Sequence, residues 1–123
     1  MPAQQTRSAP DGETPKVVFD RAHLSHYTMQ SVDLEREIIN LFLQQLPSTV
    51  EMIASAGTED DWKLYTHTLK GSAAAVGAWK LQEIAIELES LGNAGDAMVR
   101  DLRLKSLQAA VVEFREMVRQ IYL

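Results

Sequence analysis

The chain has 123 residues, 12 Lys and Arg against 17 Asp and Glu, a formal charge of −5 and no cysteine. That length fits one domain and leaves no room for a cofactor domain beside a substrate domain. The acidic balance argues against nucleic acid or anionic lipid as the main partner, and the missing cysteines remove disulfides, thiol catalysis and cysteine-ligated zinc. No apolar run approaches the ~20 residues of a membrane span. The first residues lack the apolar core of a signal peptide, so a cytoplasmic domain is expected.

Residues 1–16 hold three of the four prolines among Gln, Ser, Thr, Asp and Gly, and read as a flexible tail. The folded domain is expected over residues 17–123, where the periodicity is helical throughout. Asp20 caps a short first helix to about Met29, with Phe19 as its hydrophobic staple. Ser31 caps a second helix, whose first turn carries Asp33 and Glu35 to suit the helix dipole. Its apolar stripe is Ile38, Leu41, Phe42, Leu46, Val50 and Ile53, and Pro47 predicts a kink or local break.

Gly57 ends that segment, and Thr58 with Asp61 starts a third helix that stops at Gly77. The acidic run Glu59-Asp60-Asp61 reads as dipole chemistry rather than a metal site. A fourth helix from about Trp79 carries Leu81, Ile84, Ala85, Leu88 and Leu91, and Gly92 closes it. Asp96 opens the last helix, with Leu107, Ala110, Val111, Phe114, Met117, Val118 and Ile121 as its stripe. Met29, Met52, Met98 and Met117 read as core filler. Long amphipathic helices joined by short turns predict an all-α, antiparallel up-and-down four-helix bundle with a short extra N-terminal helix.

The third helix does not look like scaffolding. At ~100° per residue, Trp62, Tyr65, Leu69, Ala73 and Val76 form its buried stripe, and His67 points roughly 160° away from the stripe's centre. Lys63, Leu64, Lys70, Gly71, Ala74, Ala75 and Ala78 share that outer face. Gly71 in mid-helix costs on the order of 1 kcal/mol relative to Ala. Two explanations fit: the face is kept low so that a partner comes close to the imidazole, or it lets a neighbouring helix pack tightly. The chemistry favours the first. Free imidazole, with a pKa near ~6.5, is mostly a neutral nucleophile at pH 7. Lys70, one turn along, is placed to attract phosphoryl oxygens.

The run from His67 to Gly77, His-Thr-Leu-Lys-Gly-Ser-Ala-Ala-Ala-Val-Gly, resembles the signature of histidine-containing phosphotransfer (HPt) domains. Those are the carrier modules of two-component phosphorelays. The resemblance extends through Phe42-Leu43, Pro47, Asp61-Trp62, Leu81 and Leu88-Glu89, covering about residues 33 to 91. It implies that His67 is the phosphoacceptor, reacting through Nε2, and that Lys70 stabilises the phosphoryl charge. It also implies that Glu89 orients the imidazole through Nδ1–H, with a solvated bundle-edge acid as the plainer reading of that residue. Gly71 would clear space for the partner, and Lys63, Leu64, Ala74 and Ala78 would line the docking face.

The implied partners are receiver domains of a hybrid sensor kinase or a response regulator, which would themselves hold the Mg2+. No cofactor is expected on this chain, nor a nucleotide-binding loop. Gly71-Ser72 stands where the dimerising module of sensor kinases usually has a helix-bending Pro, which favours a monomer. His23 and His26 share a helix face without further obvious ligands and read as ordinary histidines. The alternative from another class is a phosphate-independent adaptor that binds a signalling partner.

Overall fold

The computed structural model describes residues 17–122. Five helices follow in order, α1 (Arg21–Tyr27), α2 (Val32–Ala54), α3 (Glu59–Val76), α4 (Trp79–Leu91) and α5 (Ala97–Ile121). There is no strand among the described residues. α3 packs on α2 and α4, α4 on α5, and α5 closes the ring against α2, while α1 lies against α2 and α3. This is the four-helix bundle with a short leading helix that the periodicity predicts. The expected tail, residues 1–16, lies outside the described residues.

Local chemistry sets the boundaries. Asp20 accepts from the His23 N–H at 3.1 Å, Ser31 from Leu34 at 3.3 Å and Thr58 from Asp61 at 3.1 Å. Asp96 accepts from Met98 and Val99. Caps of this kind contribute ~1 kcal/mol each. α1 ends at Tyr27 because Met29 and Gln30 take left-handed backbone, with φ of 53° and 68°. Gly77 ends α3 at φ 84°. A Cβ there would sit 2.6 Å from the Asp20 carbonyl oxygen, so the turn requires glycine.

Several expectations are corrected. α2 continues through Pro47 as one helix, so of the kink or local break expected there the break is absent. Pro47 is exposed, and its missing N–H removes the helix bond to the Leu43 carbonyl without ending the helix. Leu41 is exposed and Ile39 is buried, because the α2 stripe centres on Glu35, Ile39, Phe42, Leu46 and Ile53. Met117 and Ile121 sit at the edge of the α5 stripe and are partly exposed rather than in the core. Met29, Met52, Met98 and Met117 are all surface residues, so none is core filler. The core itself centres on Trp62, Leu69, Leu88, Leu107 and Phe114. The Phe114 ring meets Phe19 and Phe42 edge-on, at 5.6 and 5.4 Å between centroids.

Glu35 suits the α2 dipole by position, yet its side chain is buried. Ser25 Oγ donates to it at 2.6 Å, Arg21 Nε at 3.0 Å and Tyr122 O–H at 2.9 Å, tying α1, α2 and the end of α5 together. Burial pushes the Glu35 carboxyl up, but these three donors outweigh it and hold it below 4.5. Burial and the same carboxylate push the Tyr122 phenol up to about 12. A carboxyl whose folded pKa is depressed stabilises the fold above its unfolded pKa and loses that contribution as pH falls through the folded value. Glu35→Gln is therefore expected to flatten the acid limb of stability below about pH 4.5 in denaturant titrations. An acid limb as steep as the parent's would remove Glu35 from that role.

Candidate functional site

His67 stands on the outer side of α3, with its side chain 68% exposed. Its position follows from the helix phase set by the buried faces of Trp62, Thr66, Leu69 and Ala73. Thr66 belongs to that stripe although it is polar. Its hydroxyl donates back to the Trp62 carbonyl at 2.8 Å, which satisfies it inside the core. Tyr65, expected in the stripe, is only half-buried at its flank.

α4 brings one carboxylate to two partners. Glu89 Oε2 lies 3.3 Å from His67 Nδ1, and Glu89 Oε1 accepts from Lys70 Nζ at 2.7 Å. The Lys70 bond holds the Glu89 carboxyl below its ordinary range, partial burial opposes it, and His67 adds to the lowering. An ionised carboxylate only accepts hydrogen bonds. A bond to Nδ1 therefore requires the proton on Nδ1, and in the neutral ring that tautomer carries its lone pair on Nε2. The arrangement turns the second ring nitrogen, Nε2, away from the ring's own carboxylate.

The face around the ring is open. A Cβ added to Gly71 meets nothing within 4 Å. That rules out tight helix packing as the reason for this glycine. Ala75 is exposed and Ala74 half-buried. On the other side of His67, Lys63 and Leu64 line a shallow depression together with Asp60 and Glu89. Leu64 is 58% exposed, which places an apolar side chain beside the imidazole.

Ala78 is a correction. It is fully buried, because Gly77 reverses the chain and Ala78 begins α4 as its N-terminal cap residue. Wheel arithmetic carried past the end of α3 misplaced it. Asp60 was missed at this site, although its spacing of three and seven residues to Lys63 and His67 puts all three on one face. The Lys70–Glu89 pair spans 19 residues and has no local signal. Among the described residues no group of three His, Cys, Asp or Glu side chains is arranged to hold a metal ion. No helix there is long and apolar enough to cross a membrane.

A family model described as the Hpt domain matches residues 37–121, a span that contains α3, α4 and every residue named at this site. Neither the curated proteins nor the solved structures contain a match.

Proposed function

Given that this chain belongs to the Hpt domain family, we propose that His67 takes a phosphoryl group from the phospho-aspartate of one receiver domain and passes it to an aspartate of another. Hpt domains are phosphocarrier modules of two-component phosphorelays and work with receiver domains. The observation that carries the reading is the exposed His67 ring, with Nδ1 against Glu89 and Nε2 free.

In the accepting step the Nε2 lone pair attacks phosphorus in line with the acyl oxygen. The N–P bond forms as the P–O bond breaks, and the receiver aspartate leaves as a carboxylate. Positive charge develops on the ring, where Glu89 faces the Nδ1 proton and stabilises it. The second step reverses the first on a new aspartate. Lys70 has two ammonium protons beyond the one given to Glu89, and these serve the phosphoryl oxygens. Mg2+ belongs to the receiver in this scheme, and the protein acts as a monomer.

The test is incubation with phosphorylated receiver domains. Acid-labile, alkali-stable phosphate on this protein supports the reading. Binding without labelling by any receiver would instead make it an adaptor.

Lys70→Ala separates two roles of the cation. The variant is expected to fold normally and to transfer about tenfold more slowly in stopped-flow mixing with a phosphorylated receiver, the scale of one electrostatic donor at a partly solvated site. Equal rates would leave Lys70 as a partner of Glu89 alone.

A further inference from the structure

Trp62 is buried in the α3 core, and its indole also reaches across to α4. Its Nε1–H donates to the Leu88 carbonyl at 2.8 Å. Leu88 immediately precedes Glu89, and its carbonyl already accepts the Gly92 N–H at 3.2 Å as α4 closes. The indole therefore grips α4 at the residue next to the carboxylate. On α3, Trp62 lies five residues before His67, about 7.5 Å along the axis. The Trp62 carbonyl is itself held by the Thr66 hydroxyl.

The two bonds made by Glu89 differ in their tolerance of sliding. At 3.3 Å, the contact to His67 Nδ1 is already at the long end of hydrogen-bond range, and the imidazole offers only one ring atom in that direction. The 2.7 Å contact to Lys70 is carried by a flexible four-carbon stem with three rotatable donors. A small axial slip of α4 against α3 would break the first and leave the second.

We propose that Trp62 is a positioning residue for the phosphoacceptor: its indole hydrogen bond to Leu88 sets the α3–α4 register that keeps Glu89 on His67 Nδ1. The inference rests on the phosphocarrier reading for its consequence, but its structural content is independent of it. Losing the indole N–H leaves Leu88 O bonded to Gly92, so no buried carbonyl is orphaned and the fold survives.

The experiment compares Trp62→Phe, a variant carrying 3-benzothienylalanine at position 62, and Phe114→Leu as a core control remote from α4's last turn. The benzothiophene keeps the indole's shape and lacks only the N–H. The readout is the nitrogen-15 spectrum of His67, which distinguishes the Nδ1–H from the Nε2–H tautomer. Both position-62 variants are expected to lower the Nδ1–H to Nε2–H ratio roughly three- to tenfold, the weight of one net hydrogen bond. Phe114→Leu is expected to leave it at the parent value. Initial transfer from a phosphorylated receiver should fall by a similar factor, below the ~10²-fold that a 1 Å misplacement can cost. An unchanged ratio in the benzothienyl variant overturns the proposal, and so does an equal change in Phe114→Leu. If the parent protein never takes phosphate, the phosphocarrier reading fails while the spectrum still decides the register.

Discussion

His67→Gln is expected to abolish phosphate incorporation completely while leaving stability within about 0.5 kcal/mol of the parent. The amide nitrogen of Gln is conjugated and has no lone pair able to attack phosphorus, so no residual route through this position exists. The exposed ring contributes little to the fold, because its only side-chain partner is the rim carboxylate Glu89. Residual labelling of the variant by the same receiver would place the acceptor elsewhere. Among the described residues His23 and His26 are the other imidazoles, and His23 is packed edge-on against Trp79 at 4.8 Å.

Gly71 is expected to give opposite signs in stability and function. Gly71→Ala removes a mid-helix glycine where a Cβ meets open space, so it should stabilise the protein by about 0.5–1 kcal/mol. Gly71→Leu should also fold, yet slow transfer on the order of 10²-fold by displacing the receiver from its in-line approach. Thermal melts and receiver-binding isotherms separate the two effects. A Leu variant that binds and transfers like the parent would show that the receiver does not pass over Gly71. The contrast with Gly77 is instructive, since there a Cβ collides with the Asp20 carbonyl and the fold itself demands the glycine.

Much of this architecture was legible because its signals are local. Asp20, Ser31, Thr58 and Asp96 cap helices with their own side chains, and Gly77 and Gly92 stop them with positive φ. The outward phase of His67 follows from the spacing of Trp62, Tyr65, Leu69, Ala73 and Val76, even though Tyr65 is only half-buried. What escaped depends on partners distant in sequence. Glu35 is buried because Tyr122, 87 residues away, closes over it with Arg21 and Ser25. Lys70 also meets a carboxylate from α4, 19 residues away, for which its own helix carries no signal. Ile39 and Leu41 exchanged places because several apolar residues left the α2 stripe's phase ambiguous by a fraction of a turn. Thr66 was invisible as a core residue because its hydroxyl is satisfied by its own helix.

The site therefore reduces to a directional statement about one ring. Glu89 accepts a hydrogen bond from Nδ1–H, and the ring stands exposed beside the open position at Gly71. The most direct measurement is combined nitrogen-15 and phosphorus-31 NMR of the protein after phosphorylation by a receiver domain. A single phosphoramidate on His67 Nε2, with Nδ1 still protonated, is the expected spectrum. Phosphorus bonded to Nδ1, or to any other residue, would contradict the account.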